Sequence, residues 1–514
     1  MLILAGIFLF YPLLSQSNAD KLYSQAEEFY STAYYNTAYD LYSQAQEEYV
    51  IRGDDQKARE ALLKMFTMTW ITLDFPYNES EAEELIMENF PNVSQDRRAS
   101  WLEEGYLQTL MSDGEKLYFE GFVSNIRYLN LDLMHEYAKA QNKSSFLDYC
   151  KDKDVVFRDY NNSYRESDQR YTYPINHSGK GMLNISRAQL PETGILKLWI
   201  PVPIETESQV DVAVISVTPE EYLMNSPSIE DDIGIAYLEV PLDELEKDLN
   251  ISVQFTFTSF ERHLTFDYTQ VGDYDTESDL YKQYTKSFKN IHIMPQIIEK
   301  AQDIVGTEDN PYLAAEKIYE YIVGNVTYNF MPHLSLTTRS IPESSYAHEN
   351  LRGDCGTQSM YFCALCRAVG IPARACGGQM VVPEHGNHFW AEFYLPDYGW
   401  VPVDVTIAES ADWDYDATDE EREFFKGFYF GNLDAYRFVI QNDVDIPLDP
   451  VPEEPIIFPM VRQSPAAVCN TSVNDIGLIV FDNWKFRVEP MVYSPDEVEL
   501  NAAGNGSEIE LKRG

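Results

Sequence analysis

The sequence predicts an α+β protein, in which an N-terminal helical region and a small antiparallel β domain precede a mixed core of helices and strands. Three patterns support this prediction. Apolar residues follow helical spacing in the first part of the chain, apolar and polar residues alternate strictly in the middle, and helices and strands succeed each other after that. At 514 residues the chain is long enough for about three or four domains.

Charge and composition limit the class of partner. The chain has 38 Lys and Arg against 84 Asp and Glu, which gives a formal charge of −46 at pH 7. A surface of this charge repels nucleic acid and anionic lipid, so we expect neither as a partner. A solvated acidic surface is a simpler interpretation than a specific cationic partner. The apolar content of 44% permits folding by burial and excludes bulk disorder.

Residues 1–19 predict a signal peptide. The apolar run over residues 2–14 is too short to span a bilayer as a helix, which needs about 20 residues. Small residues at Ser17 and Ala19 favour cleavage after Ala19, with a short uncleaved anchor as the alternative. Asn-x-Ser/Thr triplets recur along the chain and agree with export. We therefore expect an extracytoplasmic protein, secreted or at the cell surface, with no membrane span beyond this segment.

Residues 20–150 predict a helical region. Small and aromatic residues recur there at helical spacing, and their offsets resemble one tetratricopeptide repeat, in which small side chains let two helices approach. The positions are Leu22, Ala26, Phe29, Ala38, Tyr42 and Ala45. Because no second copy follows at the expected period, the pattern predicts a single helical hairpin rather than a solenoid.

A linker and a β domain are predicted to follow. Residues 151–184 are polar and rich in Asn, Ser and Tyr, which is typical of a linker. Residues 185–270 contain alternating segments such as Ile251–Phe257, which predict half-buried strands of a small antiparallel domain. Beyond the core, residues 451–514 are predicted to form a C-terminal tail with short strands, among them the apolar run Ile476–Phe481.

Residues 280–450, the predicted core, contain a cysteine in a reactive setting. The sequence Gly-Asp-Cys-Gly around Cys355 predicts a turn, and residues 359–369 predict a helix, so Cys355 is expected at a helix N-terminus. The helix dipole and free backbone N–H groups at such a position stabilise a thiolate and can hold an oxyanion. Cys355 is therefore the candidate nucleophile, with a buried structural thiol as the alternative.

A histidine and a carboxylate complete the candidate site. His388 lies on a predicted strand, a hairpin turn follows at residues 396–399, and the returning strand brings Asp404 near His388. A carboxylate in that position orients an imidazole and selects its tautomer. The pattern therefore predicts a Cys-His-Asp triad, in which His388 is the base and Asp404 the orienting acid.

These residues lie in blocks that resemble the transglutaminase-like superfamily, with its prokaryotic branch as the nearer match. The blocks are Gly-Asp-Cys-Gly-Thr-Gln from Gly353, Gly-Ile-Pro-Ala-Arg from Gly370, His-Phe-Trp-Ala-Glu from His388, Gly-Trp-Val-Pro-Val-Asp from Gly399, and Tyr429–Asp434 followed by Arg437. The resemblance covers about residues 190–450 and implies a papain-like α+β core with thiol chemistry on amides. It likewise implies that Cys355 is the nucleophile, His388 the base and Asp404 the orienting acid.

The expected reaction takes place at amide bonds of a protein or peptide substrate, through a thioester on Cys355. Tyr328 and Gln358 are the candidate side-chain donors to the oxyanion. Hydrolysis is favoured over crosslinking, because water resolves a thioester unless the site excludes it. The alternative is a non-catalytic cell-surface binding protein that retains the fold. The oligomeric state does not follow from the sequence.

No cofactor or metal is expected. Four carboxylates have a spacing that resembles a calcium loop: Asp412, Asp414, Asp416 and Glu423. Ala417 stands where that loop needs glycine, so a solvated acidic loop is the favoured interpretation. Cysteines are also close together over residues 363–376. Core packing is favoured there over a zinc site, and a disulfide between Cys366 and Cys376 is left open.

Overall fold

The computed structural model describes residues 17–103, 107–141, 168–265, 267–381, 386–413, 417–452, 463–471 and 476–491. Over these residues the chain is an α+β protein, in which a helical region and an antiparallel β domain precede a mixed core of helices and strands. The predicted fold class is therefore confirmed. Within the described ranges, no helix combines the length and the apolar character that a bilayer span requires.

The helical region consists of α1 (Asn18–Ser31), α2 (Tyr35–Arg52), α3 (Asp55–Asp74), α4 (Glu79–Asn89), α5 (Gln95–Glu103), β1 (Thr109–Ser112), β2 (Glu115–Tyr118), α6 (Phe122–Arg127) and α7 (Leu131–Ala140). Helix α1 packs on α2, and α2 packs on α3. Ala26, Ala38 and Ala45 are fully buried, as expected where small side chains allow helices to approach. The tetratricopeptide-like interpretation stays a prediction.

The hairpin within this region was not predicted from the sequence. Strand β1 pairs with β2 in antiparallel fashion, with Ser112 opposite Glu115. The two residues between them, Asp113 and Gly114, have φ values of 50° and 85°. Positive φ at both positions is the requirement of a type I′ turn, which favours Asp-Gly. That dipeptide was the sequence signal for this hairpin.

The first described residues overlap the predicted signal peptide. Residues 1–16 lie outside the described part of the chain. The Ser17 side chain caps α1 by accepting a hydrogen bond from the Asp20 N–H at 3.1 Å, and Ala19 is fully buried. Cleavage after Ala19 would therefore remove the cap of α1. Export stays a prediction.

The β domain contains β3 (Tyr171–Ile185), β4 (Ile195–Pro201), β5 (Gln209–Thr218), β6 (Ile235–Pro241) and β7 (Leu249–Arg262), together with β14 (Ala466–Cys469), α16 (Ile476–Asn483) and β15 (Trp484–Pro490) from later in the chain. The strands form two antiparallel sheets, ordered β15-β3-β7-β5 and β14-β4-β6. Apolar residues from both sheets share one buried cluster.

Two predicted boundaries of this domain are corrected. The predicted linker over residues 151–184 overlaps β3, and the predicted tail over residues 451–514 supplies one strand to each sheet. The run Ile476–Phe481, predicted as a strand, is helical. A short apolar run has no periodicity that distinguishes a strand from a buried helix, so its partners decide its conformation.

Glycines explain why β3 was not recognised in the sequence. Gly179 and Gly181 interrupt the alternation of apolar residues, and aromatic rings from neighbouring strands occupy the space above them. A Cβ on Gly179 would lie 2.2 Å from the Phe255 ring, and one on Gly181 would lie 2.3 Å from the Trp484 ring. These contacts exist only when the sheet has formed, so the strand is defined by its neighbours.

The core contains α8 (Asp279–Tyr284), α9 (Pro295–Val305), α10 (Pro311–Asn325), α11 (His333–Thr338), α12 (Glu343–Asn350), α13 (Cys355–Ala368), α14 (Val405–Ser410) and α15 (Asp419–Phe428). Its strands are β8 (Thr327–Tyr328), β9 (Arg352–Gly353), β10 (Ala373–Met380), β11 (Gly386–Leu395), β12 (Gly399–Val403) and β13 (Arg437–Gln441). The longer strands form an antiparallel sheet ordered β12-β11-β10-β13, and β8 pairs with β9 in parallel. Helix α13 packs on β10 and β11, which brings its N-terminus to the sheet.

Candidate active site

The candidate nucleophile lies at the start of a helix, as the sequence predicted. Cys355 is the first residue of α13, and the Asp354 side chain caps this helix by accepting from the Thr357 N–H at 2.9 Å. The Cys355 sulfur accepts a hydrogen bond from the backbone N–H of Phe389. The Phe389 ring also lies against Gly356, and His388 is the preceding residue on β11.

The charges around Cys355 disfavour a thiolate, contrary to the expectation from its position at a helix N-terminus. Burial raises the pKa of the Cys355 thiol, and the carboxylates of Asp354 and Asp404 raise it further. The backbone N–H groups of Phe389 and Gly356 oppose this shift without offsetting it. The resting sulfur is therefore a neutral thiol, and a base has to remove its proton as it attacks.

The hairpin of β11 and β12 brings His388 and Asp404 together. The imidazole Nε2 lies 2.8 Å from Asp404 Oδ2; His388 is 6% exposed and Asp404 is fully buried. When Nε2–H donates to the carboxylate, Nδ1 carries the lone pair that can accept a proton from a thiol. Asp404 also caps α14 by accepting from the Ile407 N–H at 3.1 Å, which fixes the carboxylate in place.

Arg437 binds the same carboxylate, a role that sequence reasoning did not assign. Its Nη1 lies 2.6 Å from Asp404 Oδ2, and its Nη2 pairs with Asp434. Burial opposes ionisation of Asp404, but His388 and Arg437 hold its pKa well below the usual range. Asp404 is therefore a carboxylate. The available signal in the sequence was an arginine directly before the apolar residues 438–440 of β13.

The structure distinguishes the two candidate oxyanion donors. Gln358 Nε2 donates to the Gly353 carbonyl oxygen at 3.0 Å and to Glu409 Oε2 at 2.8 Å, so both amide hydrogens are used within the protein. The prediction for Gln358 is corrected: its amide ties the turn before Cys355 to α14. Tyr328 remains a candidate, because burial and the nearby Cys355 raise the pKa of its phenol and keep its hydroxyl a donor.

A buried carboxyl group that sequence reasoning missed connects these residues. Glu409 is 5% exposed, and it accepts from the Tyr328 backbone N–H at 2.5 Å as well as from Gln358. Burial raises the pKa of Glu409 to about 8. Glu409 therefore links β8, which carries Tyr328, to the helix that begins with Cys355.

Glu409 is expected to make the fold less stable as the pH rises. Because folding raises its pKa, its stabilisation is full below about pH 4.5 and is lost as the pH rises through about 8. Glu409→Gln should remove this dependence, whose slope is at most about 1.4 kcal/mol per pH unit. Urea unfolding of both proteins at about pH 5 and about pH 8 measures the effect. An equal fall in both proteins would contradict the prediction.

The helical region reaches the residues beside the candidate nucleophile. The Tyr128 ring lies 5.1 Å from the Tyr328 ring and 4.7 Å from the Trp413 ring, between centroids. Asn125 donates to and accepts from the backbone of Phe330, in the loop between β8 and α11. The helical region therefore supports the aromatic surface next to Cys355.

A residue from the C-terminal part of the chain supports the strand of His388. Gln463 Nε2 donates to the carbonyl oxygens of Gly378 at 2.8 Å and His388 at 2.7 Å. Those two residues lie opposite each other on β10 and β11. Gln463 is 6% exposed, and β14 begins at Ala466. The same segment therefore connects the histidine strand to the β domain.

The calcium candidates are only partly covered by the described residues, because Asp414 and Asp416 lie outside them. Asp412 and Glu423 both face the Lys426 ammonium, at 2.8 Å and 3.7 Å. In the described ranges no group of His, Cys, Asp and Glu side chains has the arrangement of a metal site. The five cysteines in those ranges are free thiols.

Comparison with known proteins identifies one matching family and a relative. The sequence profile of the transglutaminase-like superfamily matches residues 298–405, a segment that contains Cys355, His388 and Asp404. An uncharacterised protein of Haemophilus influenzae is 26% identical over 295 residues, which make up 51% of this chain and 77% of that protein.

Two solved structures are also similar to this chain. A candidate cysteine protease from Cytophaga hutchinsonii is 14% identical, with a TM-score of 0.37, and the match covers 63% of this chain and 93% of that one. The periplasmic domain of TgpA from Pseudomonas aeruginosa is 12% identical, with a TM-score of 0.23, over 48% of this chain and 96% of that one.

Proposed function

We propose that this protein, whose residues 298–405 match the sequence profile of the transglutaminase-like superfamily, is an exported cysteine enzyme acting on amide bonds of proteins or peptides. Cys355 is the nucleophile, His388 the base and Asp404 the residue that orients the imidazole. The formal charge of −46 supports a protein or peptide substrate rather than nucleic acid. Hydrolysis is preferred to crosslinking, because a thioester meets water unless a closed site excludes it.

One observation supports this proposal above the others: a buried chain runs from Arg437 through Asp404 to His388, and Phe389, the next residue on the same strand, lies against Gly356 in the first turn of the Cys355 helix. The Asp404 carboxylate is fully buried and ionised, although burial of a charge is costly. A fixed negative charge at this position stabilises the imidazolium that forms when His388 takes a proton. Such an arrangement is expected where proton transfer is part of the function.

The chemistry follows from these positions. His388 Nδ1 takes the thiol proton of Cys355 as the sulfur attacks the carbonyl carbon of the bound amide. The carbonyl oxygen becomes an oxyanion, for which the Cys355 backbone N–H and the Tyr328 hydroxyl are the proposed donors. When the C–N bond breaks, His388 returns the proton to the leaving amine and a thioester remains. His388 then takes a proton from water, the water oxygen displaces the sulfur to give the carboxylic acid, and His388 returns the proton to the sulfur.

Cys355→Ala should abolish turnover, because the thioester can no longer form. Peptides are incubated with the enzyme while ammonia, new amino termini and incorporation of a labelled primary amine are measured in parallel. The leaving amine is released in both reactions, so ammonia or new amino termini without amine incorporation indicate hydrolysis, and incorporation of the labelled amine indicates transfer. Cys363→Ala is the matched control, since Cys363 is fully buried in the same helix and should leave turnover intact.

The alternative is a non-catalytic cell-surface binding protein, and the neutral resting thiol of Cys355 is the observation that favours it. A neutral thiol attacks slowly unless a base accepts its proton. In the enzyme His388 accepts that proton, whereas in the binding protein it does not. Mass spectrometry of a trapped acyl group on Cys355 decides between them. Identical product traces from the wild-type and Cys355→Ala proteins would rule out the enzyme.

A further inference from the structure

We infer that a second histidine, His333, is a positioning residue for the nucleophile: it bridges Asp354 and Glu343, and so fixes the turn and the charge next to Cys355. This inference rests on the proposed function, since Cys355 is its nucleophile. His333 is the first residue of α11, Glu343 is the first of α12, and Asp354 caps α13. Three helices therefore begin at this cluster.

The geometry around His333 matches a charged imidazole. Its Nε2 lies 2.8 Å from Asp354 Oδ2, and its Nδ1 lies 2.9 Å from Glu343 Oε1. A neutral imidazole has one N–H and would leave a ring lone pair facing a carboxylate, whereas an imidazolium donates to both. Burial opposes the charge, but the two carboxylates hold the pKa of His333 well above its usual range.

The cluster closes on the nucleophile helix through Thr357. Asp354 Oδ1 accepts from the Thr357 N–H at 2.9 Å, and Glu343 Oε2 accepts from the Thr357 hydroxyl at 2.9 Å. Thr357 is fully buried and lies two residues after Cys355. The two carboxylates that bind His333 therefore also hold the first turn of α13, and with it the backbone N–H of Cys355.

The imidazolium offsets negative charge beside the thiol. The Asp354 carboxylate is one of the groups that raise the pKa of the Cys355 thiol, and His333 is the cation paired with it. Glu343 on α12 also directs a carboxylate at His333, whereas burial raises the pKa of Asp74 on α3 to about 7 and weakens its negative charge. Loss of the imidazolium would leave all this negative charge uncompensated, which should raise the pKa of the thiol further.

The helical region holds the helix that carries His333. The Ser335 N–H donates to Asp74 Oδ2 at 2.6 Å, and the Thr338 hydroxyl donates to the Thr67 carbonyl oxygen at 3.0 Å. Both acceptors lie on α3, which packs on α11. The position of His333 therefore depends on the helical region, so that region is part of the site in this proposal.

His333→Gln tests the inference through the pH profile of Cys355 alkylation by iodoacetamide. Glutamine can still bond one carboxylate but carries no charge. The midpoint of the profile should rise by about one pH unit, and alkylation below it should slow about tenfold. His333→Lys, which restores the charge, should recover part of the rate. His348→Gln is the control, because His348 bonds the Tyr361 hydroxyl at 3.0 Å and should leave the profile unchanged.

The protonation state of His333 can also be measured in the wild-type protein, so this test does not depend on whether a variant folds. Nitrogen NMR at about pH 8, above the ordinary histidine pKa of about 6.5, should show both ring nitrogens of His333 protonated. A neutral His333 tautomer, or an unchanged alkylation profile in folded His333→Gln, would overturn the inference. Failure of the proposed function looks different: Cys355 would show the His333-dependent profile, yet the protein would neither cleave nor transfer any amide.

Discussion

Asp404→Asn should lower kcat by about 10³–10⁴-fold, because an amide can neither select the His388 tautomer nor stabilise the imidazolium. The fold should survive, since Asn caps helices as well as Asp does and α14 can still begin at its present residue. The single amide oxygen cannot replace both carboxylate oxygens: it can accept from His388 and Arg437, as Asp404 Oδ2 does, or from the Ile407 N–H, as Oδ1 does. The buried donor left unpaired should therefore reduce the free energy of unfolding by about 1–3 kcal/mol.

Asp434→Asn is the matched control for this prediction. Asp434 is the second buried carboxylate on Arg437, and its other hydrogen bonds come from the Tyr429 hydroxyl and the Tyr436 N–H. We expect a similar loss of stability with kcat within about tenfold of the wild type. Steady-state kinetics and urea unfolding of both variants separate the two effects. Equal losses of kcat would mean that Asp404 acts through stability alone.

Glu392→Gln should reduce the free energy of unfolding by about 3–5 kcal/mol, because it leaves two buried arginines without a counter-charge. Glu392 is 3% exposed; it pairs with Arg262 Nη1 and accepts from Arg374 Nε at 2.8 Å. Arg262 ends β7, and its backbone exchanges hydrogen bonds with Leu433 in the core. The substitution should therefore weaken the attachment of the β domain as well as the core.

The same carboxylate predicts acid sensitivity. Burial opposes ionisation of Glu392, but Arg262 and Arg374 lower its pKa from 4.5 to about 2. Because the folded-state pKa is depressed, the stabilisation is full above about pH 4.5 and is lost as the pH falls through about 2. Urea unfolding across this range should show an acid-induced fall in the wild type that is smaller in Glu392→Gln.

Lys64→Ala supplies the control for charge removal at the surface. Lys64 pairs with Glu27 at 2.9 Å, with side-chain exposures of 39% and 42%, so solvent screens the interaction. Its loss should change the free energy of unfolding by about 0–1 kcal/mol. If Glu392→Gln costs no more than Lys64→Ala, the buried pair contributes little and the prediction fails.

The predictable part of the site is the part that is local in sequence. His388 and Asp404 are 16 residues apart on one hairpin, and the turn between their strands is visible in the sequence. Cys355 follows a recognisable helix cap at Asp354. For such pairs the conformation of a short segment fixes the distance between side chains. Residue type and spacing are therefore enough to predict that the side chains meet.

The supporting residues come from far along the chain, and no local pattern indicates them. Asp74 reaches α11 across 261 residues, and Gln463 reaches His388 across 75. Both are ordinary polar residues whose role appears only when their partner carries a buried donor or acceptor. The same holds for Gln358, whose amide looked free in the sequence but is bound to Gly353 and Glu409.

By itself the sequence determined the α+β class, the order of the regions and the identity of the three candidate catalytic residues, because periodicity, turns and caps act over a few residues. Only the tertiary structure decided that the C-terminal strands complete the β domain, that the Cys355 thiol is neutral at rest, and that His333 lies between two carboxylates. Burial and charge pairing set these last properties, and both depend on which distant segments pack together.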